Sequence, residues 1–156
     1  MREFPFVWTE LKPLSAELGI PIDSISVEFL QCWPRCVTLW RSDGTGIRIH
    51  SEMVDLAERI EVGVLHFDRV VSPSADEVFA RMAPAFGTGF TVSKLVIDES
   101  GASVESGIVL AAGSGDQIVV VANAFCCNLA IRGVPSITEI FEPEYPLDRY
   151  TRVSMS

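Results

Sequence analysis

Two apolar runs near the middle of the chain predict the centre of the fold. They cover residues 108–112 and 117–122 and are separated by the sequence Gly-Ser-Gly-Asp. Those residues tolerate the backbone angles of a tight reversal, so we expect a β-hairpin. The second run contains Ile-Val-Val-Val and is apolar on both faces, which predicts a strand inside a sheet, covered on both sides. A third run over 125–131 extends the pattern, and residues 104–132 are predicted to form a β-meander core.

Alternation of apolar and polar residues predicts further strands on both sides of this core. They lie at 25–29, 36–41, 47–50, 60–71, 91–97 and 137–141. Within the run 60–71 the apolar positions change from even to odd numbers near Gly63. A change of phase beside a glycine predicts a β-bulge at that position.

Two short helices are predicted. A helix over about 14–18 begins after a proline and ends at a glycine, which is the usual order of these residues. A helix over about 75–83 has the stronger signal, because Ser74 and Glu77 have the spacing of a capping box and an apolar stripe follows. Residues 51–59 also fit a helical turn that begins at a capping serine.

Together these elements predict an α+β fold with an antiparallel-rich β-sheet. We expect about seven to nine strands, joined mostly by short connections, with one or two short helices beside the sheet. No repeat or linker divides the chain of 156 residues. Residues 1–156 are therefore expected to form a single globular domain.

Composition predicts a soluble protein of the cytoplasm. The amino-terminal residues lack the apolar run of about 7 to 15 residues that a secretion signal contains. No later run approaches the roughly 18 residues that cross a bilayer. Since 48% of the residues are hydrophobic, the core needs no cross-links, and we expect the cysteines to be buried, reduced thiols.

The charge of the chain favours a basic partner. With 21 acidic residues against 12 basic ones, the formal net charge is −9, which repels nucleic acids and anionic membranes. No basic residue occurs between Lys94 and Arg132, whereas acidic residues do. If the turns of the core sheet cluster in space, they present charge of one sign to a cationic protein.

The candidate metal ligands do not predict a metal site. Cys32, Cys36, Cys126 and Cys127 could in principle meet around zinc. However, adjacent residues of a strand point to opposite faces, so the last two cysteines do not naturally share one ion. We expect neither a metal nor a cofactor.

Two histidines provide the alternative of an enzyme or small-molecule binder. His50 and His66 each lie in a predicted strand near an acid, Glu52 or Asp68, which could orient an imidazole as a general base. The pocket of such a protein is expected between the sheet and the helix at 75–83. No Gly-x-Ser-x-Gly turn is present, and no catalytic residue is predicted.

One acidic series recurs every three residues, which on a helix is typical of a solvated face. It comprises Glu52, Asp55, Glu58 and Glu61.

The carboxy-terminal tail, residues 142–150, combines acidic and aromatic residues as protein interfaces do. The predicted contact residues are Glu142, Glu144, Tyr145 and Asp148. A tail strapped over the sheet to cover its apolar surface would have the same composition. Both interpretations stay open from the sequence.

The leading hypothesis is a non-enzymatic, acidic protein-binding domain of bacterial type. Its most concrete form is an immunity or antitoxin-like inhibitor that covers the active site of a basic toxin with carboxylates. The alternatives are the histidine-based pocket described above and a structural protein that associates with a copy of itself.

Overall fold

Two mostly antiparallel β-sheets form the fold, and the buried apolar residues fall into two clusters. The computed structural model describes residues 1–125, 127–135, 137 and 141–155. The strands are β1 (Arg2–Phe4), β2 (Ser24–Leu30), β3 (Trp33–Trp40), β4 (Gly46–Ala57), β5 (Ile60–Val70), β6 (Glu77–Ala80), β7 (Phe90–Glu99), β8 (Ala102–Ala112), β9 (Gln117–Ala122), β10 (Leu129–Arg132) and β11 (Thr151–Ser154). The helix α1 covers Leu14–Leu18, and two short 3-10 turns cover Pro84–Gly87 and Leu147–Arg149.

The six-stranded sheet contains the predicted meander. Its order is β10-β9-β8-β7-β11, with β1 added in parallel to the first residues of β8. Strand β9 lies between β8 and β10, antiparallel to both. Ile118 and Val120 of β9 are buried in one apolar cluster, and Val119 and Val121 in another. The prediction of a central strand covered on both faces is therefore confirmed.

The five-stranded sheet has the order β5-β4-β3-β2-β6. Its inner face and one face of the six-stranded sheet form the first apolar cluster, which includes Ile49 of β4 and Ile108 of β8. The second cluster lies on the other face of the six-stranded sheet, around Val109 and Val119. On that face, the far end of the hairpin β4–β5 and the carboxy-terminal tail cover the second cluster.

The predicted helix at 14–18 is confirmed as α1. It lies over the edge of the first cluster with Leu14 and Leu18 buried. Its Glu17 forms a buried ion pair with Arg41, which follows β3. Burying both charges together satisfies each of them, and this pair fixes α1 to the five-stranded sheet.

The predicted helix at 75–83 is wrong, because this segment contains the edge strand β6, which pairs with β2. The local contact of a capping box does form, since the Ser74 amide donates to the Glu77 carboxylate at 2.5 Å. The Glu77 carboxylate also accepts hydrogen bonds from Ser26 and Thr38 at 3.1 and 3.2 Å. These contacts with the sheet hold the chain extended, so tertiary contacts override the local helix signal.

Two predictions about the hairpin β4–β5 are also wrong. Residues 51–59 do not form a helical turn, because β4 continues to Ala57 before it reverses. The pairing of the two strands passes Gly63 without a bulge, and the only shift of register in this pair falls between Asp55 and Ala57.

The fold class is confirmed as α+β with predominantly antiparallel sheets. The described residues contain eleven strands, more than the seven to nine that the sequence indicates. The extra strands are the short ones at the chain ends and β6. The strand predicted at 137–141 falls largely outside the described residues. Of the helices in the described part of the chain, none has the length and apolarity required to cross a membrane.

Candidate functional site

The hairpin β4–β5 exposes polar side chains on one face in the half near its base. In the half near its tip, it exposes them on the opposite face. In the half near the base, Ile49 and Phe67 point into the first cluster, and His50 and His66 point away from it. In the half near the tip, even-numbered residues such as Val62 enter the second cluster. Because side chains alternate along a strand, the tip then turns its odd-numbered residues Asp55 and Glu61 outward.

The histidine cluster, His50, Glu52 and His66, lies on the open face of the base half. The two histidines are direct cross-strand partners, with ring centroids 5.0 Å apart. Glu52 Oε2 lies 2.9 Å from His66 Nε2, and Glu52 Oε1 lies 3.8 Å from His50 Nε2. The other ring nitrogen of His50, Nδ1, lies 3.6 Å from Asp68 Oδ2. One potential ligand atom from each member of the cluster lies within 4.8 Å of the others.

A cleft of about 380 Å³ opens beside this cluster. His50, Glu52, Asp68, Cys36 and Cys127 are among the residues that line it. Burial lowers the pKa of His66, with the neighbouring His50 adding to this effect and Glu52 opposing it. Burial also raises the pKa of the Cys36 thiol, and the charge of Glu28 adds to this. A neutral imidazole is a competent metal ligand, whereas Cys36 is not an activated nucleophile.

The structure changes the predicted surroundings of the histidines and cysteines. The helix at 75–83 that was expected to border the pocket is wrong, because this segment contains a strand. A cleft lined by residues 79–83, Asp116, Gly133 and Pro135 does lie beside the segment, but neither histidine lines it. His50 and His66 instead meet each other, and both lie close to Glu52. The expectation of buried cysteines is wrong for Cys32 and Cys127, which are exposed, whereas Cys36 is half-buried. Cys126 lies outside the described residues.

A second polar surface lies at the tip of the hairpin and is called the acidic edge. It consists of Asp55, Glu58 and Glu61 of the hairpin, together with Glu144 of the tail, which contacts Gly63, and Glu142, two positions earlier in the chain. Asp55 and Glu61 are direct cross-strand partners, so two like charges oppose each other on the outward face, an arrangement that costs stability. Both are exposed, as are Glu58 in the turn and Glu142 in the tail. The predicted solvated series is therefore divided between the two polar surfaces of this hairpin.

Glu144 joins the tail to the hairpin. Its backbone amide donates to the Ala122 carbonyl at 2.9 Å, and its Oε1 accepts a hydrogen bond from the Gly63 amide at 3.3 Å. Its other oxygen, Oε2, is buried and has no hydrogen-bond partner among the described residues. Burial raises the pKa of Glu144 to about 7, and the charge of Glu61 adds to the rise despite the Gly63 hydrogen bond.

The tail is held against the body by backbone and aromatic contacts. Ala124 donates to the Glu142 carbonyl at 3.2 Å, and Pro143 forms a β-bridge with Asn123. The Tyr145 ring meets the Tyr150 ring edge-on, with centroids 6.3 Å apart. These contacts are those expected of a strap over the second cluster.

The four predicted contact residues have two different environments. Glu142 and Asp148 are exposed. Glu144 is half-buried against Gly63, and Tyr145 packs beside the second cluster. Binding of a partner by these four residues stays a prediction. Within the protein, Glu144 and Tyr145 hold the tail against the body.

The pairing of the two histidines is the feature that sequence reasoning missed. The sequence carried only part of the signal, because the alternation of Ile47 to His50 predicts a strand but does not continue as far as Ala57. The reversal lies at Glu58 and Arg59, where Arg59 has a φ of 62°. Reading residues 51–59 as a helical turn concealed the register that brings His50 opposite His66.

The two polar surfaces offer different chemistry. Exposed carboxylates attract basic groups, and imidazoles with a carboxylate bind transition metals. No protein-family model matches the chain, and the searches of curated proteins and of solved structures likewise found no match.

Proposed function

We propose that this protein is a non-enzymatic binding domain that recognises a basic protein partner through its acidic edge. The observation that carries the proposal is the like-charged cross-strand pair Asp55–Glu61, which is exposed beside Glu58. Among the described residues, the ion pairs formed by Lys and Arg side chains involve other carboxylates. Arg59, in the adjacent turn, is exposed and forms none of them.

Electrostatics supports a cationic partner over a neutral one. Like charges that face each other across a strand pair destabilise the free protein. A lysine or arginine placed between Asp55 and Glu61 would remove that repulsion, so part of the binding energy would come from relief within this chain. The net charge of −9 also accelerates the approach of a basic protein at low ionic strength.

The tail contributes to the same surface. Its strap brings Glu142 and Glu144 alongside β9 and the hairpin, and it leaves Glu142 and Asp148 exposed to a partner. Tyr145 and Glu144 hold the strap in position from beneath. A rigid charged surface loses less conformational entropy on binding than a mobile tail would.

The most concrete form of the proposal is an immunity or antitoxin-like inhibitor of a basic bacterial toxin. In this form, the carboxylates of the acidic edge cover a cationic active site and occupy it. A basic enzyme that acts on nucleic acid has such a site, because it must bind phosphate groups. Inhibition by complementary charge accounts for the acidic surface without requiring catalysis by this chain.

The test begins with capture of a partner from a bacterial lysate on the immobilised full-length protein. The captured protein is identified, purified and titrated against the wild type and against the variant Asp55→Lys/Glu61→Lys at several salt concentrations. We expect a basic partner whose affinity falls as salt rises, and a loss of about tenfold or more in the variant. A second variant, Glu142→Lys/Asp148→Lys, tests the contribution of the tail.

A matched control separates a specific surface from net charge alone. Glu10→Lys/Asp76→Lys changes the charge by the same amount at two exposed positions outside the acidic edge. We expect its affinity to stay within about threefold of the wild type, since distant exposed charges are screened. Equal losses in the control and in the Asp55/Glu61 variant would reject the acidic edge as the binding surface.

A further inference from the structure

The geometry points to a binding site for one divalent transition-metal ion, of the zinc type, at the histidine cluster. The ligands are His50, Glu52 and His66, one imidazole from each strand of the hairpin and the carboxylate beside them. The inference is independent of the proposed function, because it concerns the base half of the hairpin and not the acidic edge.

The distances within the cluster suit a single ion. Zinc binds imidazole nitrogen and carboxylate oxygen at about 2.0 to 2.2 Å, which places neighbouring ligand atoms of a tetrahedral site about 3.4 Å apart. Glu52 lies 2.9 Å from His66 and 3.8 Å from His50, and the three ligand atoms lie within 4.8 Å of one another. Small side-chain rotations are enough to reach the required spacing, and the Glu52 side chain, 58% exposed, has room for them.

The backbone fixes two of the three ligands. His50 and His66 are paired in a stretch of the β4–β5 ladder that continues without a break from Gly46 to Asp55. The residues on the opposite face of this stretch, Ile49 and Phe67, are fully buried. The two imidazoles are thus held by a rigid pair of strands, which reduces the conformational cost of binding an ion.

Asp68 lies where a carboxylate that does not bind the metal itself would orient His50. It faces His50 Nδ1 at 3.6 Å, whereas the opposite nitrogen, Nε2, faces Glu52. Histidines that bind a metal through one nitrogen commonly donate the other N–H to a carboxylate, which fixes the tautomer and the ring orientation. Asp68 is therefore a positioning residue that acts through His50.

The donor set selects the class of ion. Two imidazoles and one carboxylate suit zinc, nickel, copper or cobalt, whereas magnesium and calcium prefer oxygen donors alone. Three protein ligands also leave at least one coordination position for water or another ligand. The cleft of about 380 Å³ beside His50 and Glu52 is the space in which that ligand would lie.

The experiment is calorimetric titration of the chelator-treated, full-length protein with Zn²⁺, and separately with Mg²⁺. We expect about one equivalent of zinc to bind and magnesium to bind far more weakly. Glu52→Gln and His66→Ala should each weaken zinc binding about tenfold or more, and Asp68→Asn about tenfold through His50. The control Glu58→Gln, an exposed acid on the same hairpin, should leave zinc binding unchanged.

Two further measurements use the folded wild-type protein and therefore test the site even if a histidine variant fails to fold. In the wild type, zinc should shift the NMR signals of both imidazoles, and these are the only two histidines of the chain. The spectrum of the Co²⁺ complex should lack a thiolate charge-transfer band, because the expected ligands are nitrogen and oxygen. Unperturbed imidazole signals, a thiolate band, or stoichiometric zinc in a His50→Ala/His66→Ala variant would overturn the site.

Discussion

The two halves of the hairpin β4–β5 bury opposite faces of one continuous strand pair. Near the base, Leu65 and Phe67 are buried in the cluster between the sheets, and His66 lies on the open side. Near the tip, Val62 and Val64 are buried in the second cluster. Consecutive residues Val64 and Leu65 are therefore both buried, 3% and 0% exposed, on opposite faces.

The layers that pack against this hairpin, and not a bulge, therefore determine which face of each strand is apolar. The ladder keeps its register through Gly63, but the layer that covers it changes from one apolar cluster to the other. The polar faces follow as a consequence. They yield two separate surfaces, the histidine cluster at the base and the acidic edge at the tip.

The largest expected effect comes from truncating the two adjacent buried residues. Leu65→Ala should reduce the free energy of unfolding by about 3 kcal/mol and Val64→Ala by about 2 kcal/mol, because each loses buried apolar contacts in a different cluster. Chemical denaturation measures both. Arg69→Ala, an exposed control on β5, should change stability by less than about 0.5 kcal/mol. A neutral Val64→Ala would contradict burial of both faces.

A methyl group added at Gly63, where the two halves of the hairpin meet, should also destabilise the protein. An added Cβ at Gly63 would lie 2.5 Å from Ala122 Cβ and 2.6 Å from Ser51 Oγ. Gly63→Ala should therefore cost about 2 kcal/mol through overpacking. The matched control is Gly113→Ala, where nothing lies within 4 Å of the added carbon and thermal unfolding should be nearly unchanged. Equal stability of the two variants would contradict the close packing of the strands at Gly63.

The buried carboxyl of Glu144 predicts a pH dependence at the tip. Its folded pKa of about 7 lies above its ordinary value of 4.5, so the folded state binds this proton more tightly than the unfolded state. Its contribution to stability is complete below about pH 4.5 and is lost as the pH rises to about 7. After allowance for partial solvent screening, we expect a loss of about 2 kcal/mol.

Stability measured by denaturation between about pH 5 and pH 8 tests this contribution. Glu144→Gln should remove most of the decline, because the side chain can no longer ionise. Glu142→Gln, two positions away and exposed, should retain the decline of the wild type. If Glu144→Gln left the slope intact, the pH dependence would belong to another group.

The smallest expected effect concerns the opposed carboxylates. Glu61→Lys converts the repulsion with Asp55 into an attraction between direct cross-strand partners. It should raise the free energy of unfolding by about 0.5 kcal/mol, an increase that high salt reduces. Glu58→Lys, in the turn and without a direct partner in the ladder, should give a smaller change. Destabilisation by Glu61→Lys would contradict the proposed repulsion.

The sequence predicted the elements whose local pattern agrees with their surroundings. The run from Ile118 to Val121 is apolar on both faces, and it is covered on both faces. The helix α1 follows its terminal proline and glycine signals. Here the residue pattern and the tertiary environment favour the same structure, so local reasoning suffices.

Prediction failed where distant residues decide the outcome. Ser74 and Glu77 do make a capping-type contact. However, Glu77 also accepts hydrogen bonds from Ser26 and Thr38 of the sheet, and the segment is a strand. The histidine cluster depends on the register of β4 against β5. Register is a relation between two segments, which the properties of either segment alone do not determine.

Recognition of a cationic protein by the acidic edge is best measured as the dissociation constant of Glu61→Lys for the captured basic partner, beside the wild type under the same salt conditions. Because this substitution should stabilise the free protein, weaker binding cannot be ascribed to unfolding. We expect the variant to bind about tenfold more weakly or worse. An unchanged or tighter complex would contradict the assignment of the acidic edge as the surface that recognises a cationic protein.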